Sequence, residues 1–157
     1  MVLLAKDMTS ALLSNASIMK VKLDSLDILF SEFIRRRAIV RTGGCERCLT
    51  PKHDIVKENG DIFPAWKELQ CAHLISRWHK SIRWDEDAAL GLCGGCHMWI
   101  DHEAEEKLEL LDKKVGADNV LLLKARARTP ARYIDKNALE IYFKIKIKEL
   151  EEAIKEE

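Results

Sequence analysis

Between residues 24 and 40 apolar side chains return every three or four positions, at Leu26, Leu29, Phe30, Phe33, Ile34 and Ala38. That spacing makes one apolar stripe on an α-helix, with Asp24 or Ser25 as its N-cap and Gly43-Gly44 as its end. Further on the period changes. Residues 53–63 and 68–75 read as the two strands of a hairpin, with Asn59-Gly60-Asp61 as the turn signal. Polar residues 76–87 form a loop, and 88–92 lead out of it. Helical spacing resumes near Cys96 and runs through His97, Trp99, Ile100 and Leu108 to a break at Gly116-Ala117-Asp118-Asn119. A short helix over about 118–127 stops before Thr129-Pro130, and a last helix starts at Asp135, a second N-cap. Its stripe of Leu139, Tyr142, Phe143, Ile147, Leu150 and Ile154 is wider than a solvent-facing helix needs. It predicts either packing on the helix of residues 24–40 or a homodimer through the C-terminal helix.

The chain of 157 residues fits one domain. It divides into an N-terminal extension over 1–22, a core with its lead-in helix over 23–115, and a C-terminal helical region over 116–157. No apolar run approaches the roughly 20 residues of a membrane span. Lys6 and Asp7 interrupt the opening apolar residues, so no secretory signal and a cytoplasmic location are expected. The net charge is zero, yet the basic residues are grouped. Arg35, Arg36, Arg37 and Arg41 form one cluster, Arg77, Lys80 and Arg83 a second, Lys124, Arg126, Arg128 and Arg132 a third. Such grouping puts a positive face on a neutral protein and points to DNA as a partner, while solvated helix faces produce the same pattern.

Four of the five cysteines stand in two C-x-x-C pairs, Cys45-Glu-Arg-Cys48 and Cys93-Gly-Gly-Cys96, with His97 directly after. Paired cysteines at this spacing in a reducing compartment predict a structural zinc site with four thiolate ligands. Redox dithiols are the alternative, without the βαβ context they need. Cys71, the odd one, reads as a small apolar strand residue. The order of knuckle, strand with His73, loop, knuckle and helix with His97 can set one histidine opposite another. That arrangement suits metal-assisted phosphodiester hydrolysis, with one histidine as base and the other holding the cation. Asp101 lies one helical turn after His97 and is a candidate second ligand. Arg77 and Arg83 suit phosphate contacts, and His79 suits phosphate or metal. Each also has a plain reading, as a strand histidine, an exposed helix aspartate or a solvated loop residue.

The segments Leu69-Gln70-Cys71-Ala72-His73-Leu74-Ile75-Ser76-Arg77, Ile82-Arg83-Trp84-Asp85 and Leu90-Gly91-Leu92-Cys93-Gly94-Gly95-Cys96-His97 resemble the HNH (ββα-metal) endonucleases, above all phage recombination endonucleases of the NinG/Rap type. The resemblance covers about residues 23 to 150. It implies an α+β fold with a zinc-stapled ββα-metal, treble-clef-like core and flanking helices. It implies His73 as general base, His97 at the metal position on the helix, and Mg2+ or Mn2+ as catalytic cation. Branched recombination-intermediate DNA would be the substrate, cut in the host cytoplasm if the protein is phage-encoded. A zinc-dependent DNA-binding module without cleavage is the alternative. Two positions depart from the family pattern: Ala72 stands where an acidic residue or histidine often binds metal, and Ala88 stands where an asparagine ties down the loop beside the base. Asp87 is the candidate replacement for that asparagine.

Overall fold

The computed structural model describes residues 23–132 and 134–155, so the extension expected over 1–22 lies outside the described residues. Helix α1 (Ser25–Thr42) forms where the stripe predicts it. The Asp24 side chain accepts the Leu26 amide at 2.7 Å, and the Asp27 carboxylate accepts the Asp24 amide at 2.8 Å, closing a capping box. Gly43 ends the helix in the left-handed region at φ 68°, where a glycine carries no Cβ penalty.

Two small antiparallel sheets follow. Asn59-Gly60 closes a hairpin within residues 53–63, between β1 (Ile55–Val56) and β2 (Ile62–Phe63). The expected pairing of 53–63 with 68–75 is therefore not formed. Pro64 starts a 3-10 turn over Ala65–Glu68 that buries Trp66 and takes the chain away from the hairpin. Strand β3 (Leu69–His73) pairs instead with β4 (Ala89–Cys93), in the register His73↔Ala89 to Leu69↔Cys93. Strand β4 is short and covered on both sides, so its sequence shows no alternation of apolar and polar residues. Gly91 at its centre lets α1 approach, since a Cβ there would lie 2.5 Å from the Ala38 Cβ.

Helix α2 (Gly94–His102) leaves the end of β4 directly, then breaks at Glu103 before α3 (Ala104–Val115). No glycine or proline marks this break; it turns Leu111 into the core that holds Ile100. Helix α4 (Ala117–Ala127) follows Gly116, and α5 (Lys136–Lys155) starts after Asp135, whose carboxylate caps the Ala138 amide at 3.0 Å.

The β3–β4 sheet separates two cores. Ala72, Leu74, Leu90 and Leu92 pack with Ile100, Leu111, Val120 and Leu123 from α2, α3 and α4. On the other side, α1 and α5 close over Cys71 and Ala89. The apolar stripe of α5 finds its cover here. Phe143 stacks on Phe30 and Phe33 at 5.4 and 5.3 Å between ring centres, beside Leu139, Ile147 and Leu150. A homodimer through these residues would require α5 to leave α1. Among the described residues, no helix is long and apolar enough to cross a membrane.

Candidate metal centre and the His73 cleft

The first C-x-x-C pair sits in a tight knuckle after α1. The Cys45 amide donates to the Thr50 carbonyl at 3.1 Å, and the Leu49 amide to the Cys45 carbonyl at 2.9 Å. A Cβ on Gly44 would lie 2.1 Å from the Thr50 carbonyl oxygen, so the close approach of Gly44 to Thr50 and Pro51 requires glycine. The second pair lies at the junction of β4 and α2, where the Cys93 amide points at the Cys45 sulfur at 3.3 Å. All four Sγ atoms fall within 4.8 Å of one another, and those of Cys48 and Cys93 are 3.9 Å apart. A tetrahedral zinc with Zn–S bonds near 2.3 Å needs sulfurs about 3.8 Å apart. All four are free thiols, so the cluster can hold a metal ion.

The surroundings act on the sulfurs in opposite directions, and burial pushes the Cys96 thiol up to about 12 despite the nearby Arg47. The Thr50 hydroxyl lies 3.0 Å from the Cys48 sulfur and pulls that thiol down to about 6. Arg47 stacks on the Trp99 ring at 3.5 Å and donates to the Cys96 sulfur at 3.4 Å. Glu46, inside the first C-x-x-C, ties the knuckle to the sheet: its amide donates to the Gly91 carbonyl at 3.0 Å and its carboxylate accepts the Gly91 amide at 2.7 Å. Arg37 faces it from α1 at 3.8 Å and donates to the carbonyls of Glu86 and Ala89, each at 2.8 Å. Both side chains are buried, at 5 % and 3 % exposure.

Arg37 therefore belongs to the interior, not to the positive face expected from the first basic cluster. Arg36 is bound to Glu32 and Glu151 at 2.7 and 2.9 Å, and Arg126 of the third cluster pairs with Asp85 at 2.7 Å.

His73 ends β3 and turns toward α1, its ring centre 5.6 Å from that of Phe30. Its Nε2 lies 3.1 Å from the Arg83 carbonyl oxygen. A carbonyl only accepts, so Nε2 carries the hydrogen and Nδ1 the lone pair. Burial outweighs this bond and pulls the His73 pKa below the ordinary value of 6.5, so the ring is neutral at pH 7.

His97 leaves α2 on the other side of the sheet. Its Nδ1 meets Gln70 Oε1 at 2.7 Å and its Nε2 is 3.7 Å from the Asp101 carboxylate, which Lys107 also approaches at 3.7 Å. Gln70 and His73 are three residues apart on one strand and point to opposite faces. The expected strand histidine facing a helix histidine is not formed: His73 looks toward α1, while His97 and Asp101 lie on α2, where His97 meets Gln70 on the other face of β3. Among the described residues, only the four cysteines form a group of three or more candidate metal ligands.

Arg77 joins His73 in a cleft of about 300 Å³ against α1, lined also by Asp27, Ser31 and Arg35. His79 is exposed on the loop and does not line it. Arg83, expected to contact phosphate, gives its guanidinium to Asp27, with Nε at 2.7 Å from Oδ1 and Nη2 at 2.5 Å from Oδ2. Trp84 Nε1 donates to Asp27 Oδ1 as well, at 2.9 Å. Burial alone would raise the Asp27 carboxyl; these donors and the Asp24 amide hold it below the usual carboxylate range.

Asp27 thus fixes the segment whose carbonyl orients His73. That task was expected of position 88 or of Asp87. Ala88 is instead a fully buried methyl whose carbonyl accepts the Leu74 amide at 2.8 Å, and Asp87 is exposed. In the sequence Asp27 reads only as a first-turn acid of a helix; nothing local links it to residues 83 and 84. Asp27→Asn is expected to lower stability by about 1–3 kcal/mol, because a half-buried guanidinium loses its carboxylate. Imidazole 15N NMR should then show His73 leaving the pure Nε2–H tautomer; an unchanged tautomer would count against this role.

Comparison with known proteins adds no relative: no family model, no curated protein and no solved structure matches the chain. Fold and site define an α+β protein with a four-cysteine cluster able to hold a metal.

Proposed function

We propose that the protein is a zinc-stapled DNA endonuclease of the HNH (ββα-metal) kind, dependent on Mg2+ or Mn2+, with His73 as general base. The antiparallel β3–β4 pair running into α2, with the four cysteines across the junction, supports the fold part of this reading. The observation that carries the chemistry is the neutral His73 with its Nδ1 lone pair uncommitted, beside Arg77 in a cleft. In this reading Nδ1 takes a proton from water, and the resulting hydroxide attacks phosphorus as the P–O bond to the leaving strand breaks. Arg77 neutralises the non-bridging oxygens. A divalent cation, when bound, would stabilise the leaving oxygen. His97 and Asp101, the pair expected to hold it, stand on the opposite face of β3 and do not fit a cation shared with His73, so no step is drawn through it. Branched DNA as substrate and a phage origin rest on the sequence resemblance.

The lack, among the described residues, of a cation site shared with His73 favours a second reading, a zinc-dependent DNA-binding module without cleavage, together with Ala72 and Ala88 at positions where the family carries polar groups.

Incubation with supercoiled plasmid and with four-way-junction DNA, in Mg2+, Mn2+ or EDTA, separates the two. His73→Ala should cut at least ~100-fold more slowly than the parent, with its zinc content and melting temperature kept. The parent rate should fall as pH drops through the lowered His73 value, because the protonated ring cannot accept a proton. A His73→Ala protein that cuts at the parent rate rejects the assignment; a parent that binds DNA without cutting it establishes the second reading.

A further inference from the structure

The cleft beside His73 has a second wall that the motif residues leave out, and it belongs to α1. Asp27, Ile28, Ser31 and Arg35 face Cys71, His73 and Arg77 across about 300 Å³. The one carboxylate among them, Asp27, is occupied by Arg83, Trp84 and the Asp24 amide. Neither Arg35 nor Arg77 forms an ion pair among the described residues.

Arg35 is held for binding rather than left loose. Its Nε donates to the Ser31 carbonyl at 3.0 Å, and its guanidinium lies over the Trp66 ring at 4.6 Å. The ring and the Ser31 carbonyl restrain the guanidinium, while the two terminal nitrogens keep their hydrogens for a ligand. Burial pulls the Arg35 pKa below the usual guanidinium value, the signature of a charge taken from water. Cys71 supplies no compensating anion, since burial pushes its thiol up to about 12. The Ser31 hydroxyl adds a neutral donor on the same wall. A half-enclosed cleft with two cations, a neutral imidazole and no uncommitted acid is short of one anion.

We propose that Arg35 and Arg77, with the Ser31 hydroxyl, form a phosphate-binding site between α1 and the end of β3 that grips a phosphodiester group of a DNA strand beside His73. The cleft exceeds the volume of a phosphate several-fold, so it admits the flanking sugar. The site rests on the DNA-binding part of the reading above and does not require cleavage. It makes α1 half of the substrate groove, where the sequence places α1 only as a lead-in.

The test is DNA binding by the full, zinc-loaded chain without added Mg2+ or Mn2+, by fluorescence anisotropy on a labelled duplex and a labelled four-way junction over a series of salt concentrations. Arg35→Gln and Arg77→Gln should each weaken binding about tenfold and reduce the slope of log K against log salt by about 1, the loss of one phosphate contact. Arg35→Lys should recover the slope and only part of the affinity, because an ammonium lacks the fork. Exposed Lys148→Gln on α5, outside the three basic clusters, is the control and should change neither. If Arg35→Gln lowers the melting temperature by loosening Trp66, Arg77→Gln decides, since it does not touch that stack. Unchanged affinity and slope in Arg77→Gln, or in a normally melting Arg35→Gln, overturns the site. So does retention of inorganic phosphate, seen by 31P line broadening, with no retention of DNA. A parent that binds DNA through Arg35 and never cuts removes the nuclease reading and leaves this site; cutting that is lost in His73→Ala but indifferent to Arg35→Gln keeps that reading and removes this site.

Discussion

Removing the metal from the four-cysteine cluster will unfold the protein. Zinc binding to a structural site is worth on the order of 10–16 kcal/mol at neutral pH, as large as or larger than the ~5–15 kcal/mol that holds a whole domain together. The cluster is no appendage to the core. Cys45 and Cys96 are themselves buried among Leu69, Leu92 and Ala38, and Cys93 is the last residue of β4. Loss of the metal leaves the knuckle tied to the β4–α2 junction by Glu46, by Arg47 against Trp99 and the Cys96 sulfur, and by one amide–sulfur contact. Purified protein should contain one zinc per chain by elemental analysis. A strong zinc chelator, or Cys93→Ser, should abolish the cooperative melting transition followed by circular dichroism. A metal-free protein with the parent melting curve would show that the sulfurs are only neighbours.

Glu46→Ala is expected to cost about 3–5 kcal/mol, the range for removing one partner of a buried charge pair. The carboxylate serves two groups at once. It accepts the Gly91 amide at 2.7 Å, and it faces the buried Arg37 at 3.8 Å and the Arg41 guanidinium at 3.9 Å. The longer distances mean that Arg37 gains from charge rather than from a hydrogen bond; its bonds run to the carbonyls of Glu86 and Ala89. Burial already presses the Arg37 pKa down, and Glu46 is the nearest relief. Glu46→Gln keeps an acceptor for Gly91 and drops only the charge, so it should lose less than Glu46→Ala. Adding Arg37→Met to Glu46→Ala should cost less than the two single changes together, because no lone buried charge remains. Urea denaturation of the four proteins measures this; additive losses would mean that the two side chains do not interact.

Much of this architecture is legible before folding. The helices at α1, α4 and α5 follow from apolar spacing, from Asp24 and Asp135 as caps, and from the stops at Gly43 and Gly116, all of which act within a few residues. The four-cysteine cluster is equally local in its signal, since C-x-x-C pairs have few other uses. The strands were harder. Asn59-Gly60 does close a hairpin, but one whose strands have only two residues each, and β4 is invisible because a strand covered on both faces carries no alternation.

What lay outside the reach of the sequence was every relation between distant residues. Local chemistry sets a four-cysteine cluster, a helix capped at Asp24 and a strand ending in His73. Whether His73 meets His97 depends on which face of β3 each helix covers, and the period of two along a strand separates them once α1 takes one side and α2 the other. Whether an arginine is a DNA contact or a structural strut depends on what stands against it. Asp27 is 56 residues from Arg83, and Arg37 is 49 from the Glu86 carbonyl. Charge pairing, burial and the tautomer of an imidazole are set through space, so only the packing of α1 onto the sheet could assign them.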